Sequence, residues 1–228
     1  SIPDVIAFHA TKRMSAGDQY LISGESSVAS EASLRAQVNH PPSWVTDQYL
    51  QVPASIPDRV RLLAEELTLH ETNQYDKVVA LQSFLRRFEY SLDREKHPHK
   101  SDAVDHFIFE GKLGYCDDFA SSLAVMARTL GIPSRVMAGY GPGIPGPEEN
   151  YTVVRDEDSH VWVEVFFEEY GWITFEPTPK YPLPSRSSDV SSLDSFGEES
   201  DSDNDMSAPY GDEELFDQGA MALEGAPT

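Results

Sequence analysis

The chain has one cysteine in 228 residues, Cys116. It cannot form an internal disulfide, so cysteine usage leaves the redox compartment open. Positive charge is also scarce: 17 Lys and Arg face 39 Asp and Glu, for a net charge of −22. Such a balance argues against binding nucleic acid or an anionic membrane surface by charge, and it tolerates basic protein or amine partners. No run approaches the ~18 uncharged apolar residues that span a bilayer. No signal peptide opens the chain, which begins Ser1-Ile2-Pro3-Asp4 like a cut within something longer. Targeting and membrane segments are therefore expected outside it.

Acidic charge is present in excess, and it is unevenly spread. From Leu183 to Thr228 there are 12 acids and one base, Arg186, so 46 residues carry −11, half of the total. This Ser/Asp/Glu/Gly-rich stretch lacks the apolar surface needed to order itself, and 183–228 is expected to be a disordered acidic linker or tail. Residues 1–44 show no clear period and read as a lead-in or the tail of an upstream module. Gln19–Ser23 suggests a short strand there, and Ser26–Val38 has some helical character. The folded domain is expected over 45–182.

Within that span the period is first helical. Pro41–Trp44 reads as a turn and Tyr49–Pro53 as an extended linker. Pro57 and Asp58 suit the first turn of a helix carrying Val60, Leu63, Ala64 and Leu67. A second helix fits 73–90, and a short one fits 103–109. Gly111 to Gly114 forms a turn, and a helix begins at Cys116 and runs towards Gly131-Ile132-Pro133. The period then drops to two. Ser134–Tyr140, Tyr151–Arg155, His160–Phe167 and Gly171–Phe175 read as strands, with short loops that favour antiparallel pairing. In His160–Phe167, the residues His160, Trp162, Glu164 and Phe166 face one way, and the valines and Phe167 the other.

A thiolate is the reactive form of cysteine, and a helix N-terminus favours the negative state. Cys116 stands at such a terminus. A nucleophile of this kind needs a base, and the base needs an orienting group. Of seven histidines, His160 opens the most strongly patterned strand. A hairpin of 160–167 with 171–175 brings Glu176 to the same end as His160.

Five ordered stretches carry a resemblance. They are Gly114-Tyr115-Cys116-Asp117-Asp118-Phe119-Ala120-Ser121, Leu130-Gly131-Ile132-Pro133-Ser134-Arg135-Val136, Gly139-Tyr140, Ser159-His160-Val161-Trp162-Val163-Glu164-Val165, and Gly171-Trp172-Ile173-Thr174-Phe175-Glu176-Pro177-Thr178-Pro179. The sequence resembles the bacterial transglutaminase-like superfamily, and most of all its membrane-tethered, extracytoplasmic members. The resemblance implies an α+β, papain-like catalytic domain with a nucleophile helix packed on an antiparallel β-sheet. It implies a cysteine acyltransferase in which Cys116 attacks a protein glutamine or peptide amide, forms a thioester, and passes the acyl group to an amine or water. It makes His160 the base and acid and Glu176 the orienting carboxylate, a place where the family usually has Asp. It implies no cofactor. It further implies an extracytoplasmic, periplasmic or cell-surface location in a membrane-anchored parent.

Three residues are weighed as substrate contacts: Tyr115, which precedes the nucleophile, and Trp162 and Trp172, which either line a groove or pack in the core. Asp117 and Asp118 fit helix capping better than catalysis. Arg135 is expected to pair with an acid. His97, His99, Asp102, Asp105 and His106 match no tight metal spacing and read as a polar loop. Asp201, Asp203, Asp205 and Asp212 imitate a calcium loop, but Met206 stands where glycine is needed. The same Cys–His–carboxylate set also serves a cysteine peptidase or amidase, and a fold of this kind also serves as a non-catalytic binding or assembly module.

Overall fold

In a computed structural model, the described residues are 15, 17, 19, 27–93, 98, 101–147 and 151–186. The order of elements is helical first and then sheet-forming. Helices α1 (Glu31–Ala36), α2 (Ser43–Tyr49), α3 (Asp58–Leu67) and α4 (Gln74–Leu85) come before strand β1 (Glu89–Tyr90) and helix α5 (Ala103–His106). A π-helical turn, Phe107–Gly111, leads to β2 (Leu113–Gly114) and then to α6 (Cys116–Thr129). Strands β3 (Ser134–Tyr140), β4 (Ile144–Pro145), β5 (Thr152–Val153), β6 (Ser159–Phe167) and β7 (Gly171–Phe175) follow.

Helix α6 is the centre of the packing. Phe119, Ala120, Leu123, Met126 and Ala127 are fully buried, and the helix lies against α3 and α4 on one side and against β3 and β6 on the other. A 14-residue helix that alternates Phe, Leu and Met with alanine buries a wide stripe while letting neighbours approach closely. The sheet has the order β3-β6-β7 and is antiparallel throughout. Gly139 pairs with His160 and Ser134 with Val165, while Val163 pairs with Phe175 and Phe167 with Gly171. Val163, Val165 and Phe167 enter the main core. Phe166, on the opposite face, joins a smaller cluster with Val45, Tyr49 and Trp172. Gly171 closes the β6–β7 hairpin with φ +70, a conformation glycine adopts without steric cost.

The local chemistry explains most element ends. Ser30 caps α1, Asn73 caps α4 and Asp102 caps α5, each accepting a hydrogen bond from a backbone N–H of the first turn. Several expected boundaries move. The helix expected over 73–90 ends at Leu85, where i→i+3 bonds (Arg87 N–H to Phe84 O, Phe88 N–H to Leu85 O) tighten the chain. That turn frees Glu89–Tyr90 to pair in parallel with Leu113–Gly114. The turn expected at Pro41–Trp44 is the entry to α2, and Tyr49 ends that helix instead of opening a linker. The strand expected at Tyr151–Arg155 shrinks to Thr152–Val153, paired with Ile144–Pro145 in the Gly/Pro-rich segment expected to be loop alone.

The packing also starts earlier than the expected domain boundary at residue 45. Ala29 and Leu34, within the stretch expected to be a lead-in, belong to the main core. Leu34 is the buried residue of α1, whose few apolar positions are too short a sample to show a period. The strand expected at Gln19–Ser23 and the tail from Ser187 onward lie outside the described residues.

Candidate active site

Cys116 is the first residue of α6 and is partly exposed. Its position depends on the turn before it. Lys112 takes the left-handed conformation, φ 53, and its N–H closes the π-helical turn on Phe107 O. At Gly114 a Cβ would stand 2.6 Å from Asp118 Oδ2 and 2.8 Å from Phe107 Cε2, so only glycine fits. The room is used by Asp118, whose carboxylate accepts a hydrogen bond from the Tyr115 N–H at 3.1 Å. Asp118 thus caps the nucleophile helix, as the sequence suggested.

His160 sits at the start of β6 and is buried. Its Nε2 lies 2.6 Å from Glu176 Oε2. Continuing the β6–β7 register by one pair sets Glu176 opposite Trp162, diagonal to His160, which is within reach of a long side chain. The second carboxylate oxygen, Oε1, accepts from the Thr178 N–H at 2.8 Å. Nδ1 of His160 is buried and makes no hydrogen bond of normal geometry. It is the ring nitrogen left for Cys116, whose sulfur acts on the imidazole electrostatically. Burial pulls the pKa of His160 down, but Cys116 and Glu176 outweigh it and raise the value to about 9. At neutral pH the imidazole is therefore protonated, between Glu176 and Cys116.

Several residues that hold this arrangement escaped the motif reading. Gln82 Oε1 accepts from the Glu176 N–H at 2.9 Å. Arg86 donates to the carbonyls of Glu176 (2.9 Å), Thr178 (2.8 Å) and Tyr181 (3.0 Å). Both side chains come from α4 or its C-terminal end. Tyr181 stacks on the His160 ring with centroids 3.6 Å apart and planes at 28°. One sequence signal pointed to Gln82: it is a polar residue inside the buried stripe Val78, Leu81, Gln82, Leu85. Arg86 and Tyr181 give no such signal.

The three residues weighed as substrate contacts part company. Tyr115 is the N-cap of α6, directly before Cys116. Trp162 shares a face with His160, ring centroids 6.2 Å apart, and its indole lies over Gly139, where a Cβ would come within 2.9 Å. Trp172 is elsewhere. It packs edge-on against Tyr49 and Phe166 at the hairpin end of the sheet, with Arg135 over its ring at 4.2 Å. Its ring contacts there are with aromatic and guanidinium neighbours, at the end of β6 away from His160. Arg135 meets Glu164, its cross-strand partner, at 2.8 Å.

Among the described residues, no group of three or more His, Cys, Asp or Glu is placed to hold a metal ion. Asp102 caps α5, Asp105 pairs with Arg59, and His106 lies 3.9 Å from Glu110. His97, His99 and the acidic tail lie outside the described residues. No helix among the described residues is long and apolar enough to cross a membrane.

A half-buried cysteine at a helix mouth, beside a histidine hydrogen-bonded to a carboxylate on an antiparallel sheet, defines an α+β domain of papain-like, transglutaminase-like architecture. Residues 61–177 match the transglutaminase-like superfamily, and the chain belongs to that family. It is 40% identical over 157 residues to the uncharacterized protein YebA of Bacillus subtilis, a match covering 66% of this chain and 21% of that protein. It is 35% identical over 129 residues to the protein-glutamine gamma-glutamyltransferase of Pseudomonas aeruginosa, covering 57% of this chain and 19% of that protein. The chain thus spans about a fifth of the length of the curated relatives it matches. The crystal structure of the periplasmic domain of TgpA from Pseudomonas aeruginosa superposes with a TM-score of 0.54 at 33% identity, covering 60% of this chain and 48% of that one.

Proposed function

We propose that this domain is a cysteine acyltransferase of transglutaminase type, with Cys116 as nucleophile, His160 as proton carrier and Glu176 as the group that orients it. The observation that carries the reading is the buried 2.6 Å contact between His160 Nε2 and Glu176 Oε2, made by a ring that also interacts with Cys116. A carboxylate on one ring nitrogen fixes which nitrogen faces the thiol, and it stabilises the imidazolium.

The chemistry follows from these positions. The thiolate form of Cys116 attacks the carbonyl carbon of a glutamine side-chain amide and forms a C–S bond as the carbonyl π electrons move onto oxygen. Backbone N–H groups at the start of α6 are the natural donors to the oxyanion. His160, protonated at neutral pH, gives its proton to the departing nitrogen, so ammonia leaves as the C–N bond breaks. An amine then attacks the thioester, and His160 takes up its proton as the C–S bond breaks. Water in place of the amine gives hydrolysis. The acidic character of the chain suits an amine or basic protein as acceptor. The likeness to a periplasmic domain supports an extracytoplasmic setting within a membrane-anchored parent.

The test is incubation with a glutamine-rich protein and a fluorescent primary amine. Covalent label that disappears in Cys116→Ser supports transfer. Ammonia release or peptide cleavage without label assigns the site to hydrolysis, and neither product from folded wild-type protein overturns the enzyme reading.

A further inference from the structure

His160 has two faces as well as two ring nitrogens, and one face is covered. The Tyr181 ring lies on it at 3.6 Å between centroids, with the planes 28° apart. This is closer than most aromatic pairs, which sit 4.5–7 Å apart. Tyr181 does not owe its place to His160. Its carbonyl is held by Arg86 at 3.0 Å, its N–H donates to Thr178 O at 3.2 Å, and its ring edge fills the space beside Gly141, where a Cβ would come within 2.9 Å of Cε1. The segment from Glu176 to Tyr181 is thus a strap pinned to the end of α4 by one guanidinium.

We propose that Tyr181 is a positioning residue for the catalytic imidazole, holding the His160 ring in the orientation that presents Nε2 to Glu176 and Nδ1 to Cys116. This rests on the reading of Cys116, His160 and Glu176 as the reacting set. A stacked ring prevents the imidazole from turning about its Cβ–Cγ bond. It also keeps water from the His160–Glu176 contact and places its electron-rich face against a cation. The charged and titratable groups around the imidazole are consistent with this. Glu176 and Cys116 act on it directly. Asp158 lies at the end of the turn before β6. Tyr90 feels the charge of Cys116, and Lys180 sits over the Tyr90 and Tyr181 rings at 5.2 and 5.6 Å. Tyr181 is the one of these groups whose ring covers the imidazole.

The experiment follows the His160 imidazole by NMR across pH, together with iodoacetamide alkylation of Cys116, in the intact chain. Neither readout needs transferase turnover, so failure of the acyltransfer reading and failure of this one are distinguishable. In Tyr181→Ala the His160 titration falls by about one pH unit, and alkylation near neutral pH slows roughly tenfold. Tyr181→Phe, which keeps the ring and loses the hydroxyl, restores both. Where amine transfer is measurable, Tyr181→Ala lowers kcat and leaves KM nearly unchanged. Gly141→Ala displaces the Tyr181 ring from its other edge and reproduces the shift in milder form, which keeps the proposal testable if Tyr181→Ala does not fold. An unchanged His160 titration in both Tyr181→Ala and Gly141→Ala overturns the proposal, as does a Tyr181→Phe variant that behaves like Tyr181→Ala.

Discussion

The two ends of β6 carry the same kinds of side chain and put them to different uses. At its start, His160 and Trp162 share a face with the site, and the histidine meets a carboxylate, a thiol and a tyrosine ring. Six residues along, on the same face and roughly 20 Å away, Phe166 meets Trp44, Trp172 and, through Trp172, Tyr49, edge to face. The far end adds the cross-strand pair of Arg135 and Glu164, and its Phe166 carbonyl accepts from Gln74 at the start of α4 and from Asn39. The near end is held by the other end of α4, through Gln82 and Arg86, which fix the backbone that carries the carboxylate. An aromatic residue in a strand motif therefore does not declare its task. What lies at its end of the strand decides.

Substitutions at the two ends should separate chemistry from stability. The largest effect is expected for Cys116→Ser. Amine incorporation should drop by at least about 10³-fold while the melting transition stays close to wild type. Label incorporation at a tenth of the normal rate breaks the comparison at its near end. Phe166→Ala should do the reverse. It opens the small cluster and costs about 3 kcal/mol in urea unfolding, while Cys116 alkylation per folded molecule is unchanged. Glu176→Gln should preserve shape and remove charge. Turnover is expected to fall by roughly 10²-fold, and the alkaline limb of the pH–rate profile should move to lower pH because the imidazolium loses its anion.

A pH dependence of stability belongs to the near end as well. The folded-state pKa of His160 is about 9, above the ordinary value of 6.5. Its contribution to stability is therefore complete below about pH 6.5 and is lost as pH rises through about 9. Denaturant titrations at pH 6 and pH 9.5 should show this loss in wild type and a smaller one in Glu176→Gln. An equal loss in both points to other groups. Smallest of all, Arg135→Gln at the far end should cost about 1 kcal/mol and leave the pH–rate profile where it was.

Much of this was legible in the sequence, for physical reasons. Strands Ser134–Tyr140 and Gly171–Phe175 have the bounds that alternation and flanking turns predict. Helix α6 shows itself because its long apolar stripe has a sharp beginning at Gly114 and a Gly-Ile-Pro end. Harder to see was α1, where one buried leucine in six residues is no pattern, although Leu34 packs in the main core. The π-helical turn at Phe107–Gly111 looks like any helical segment until its i→i+5 bond is seen. In the candidate site, Cys116, His160 and Glu176 stand in recognisable motifs. Their supports do not. Arg86 acts on backbone carbonyls 90 or more residues away, and a carbonyl leaves no mark on which residue type carries it. Trp172 is a conspicuous residue of the same motif as Glu176, and its ring joins the small cluster at the hairpin end.

The reach of Arg86 bears on where the smallest working fragment begins. Every residue of the Cys–His–Glu set lies after position 115, so a piece cut just after Arg86 would contain all the reacting groups and the three-stranded sheet. It would lack Gln82 and Arg86, and with them four hydrogen bonds to the backbone from Glu176 to Tyr181. The carboxylate would then hang from a chain end with little to aim it. The reactive residues and the helix that aligns them form one unit of inheritance, and a shuffled or truncated gene that divides them keeps the signature and loses the geometry.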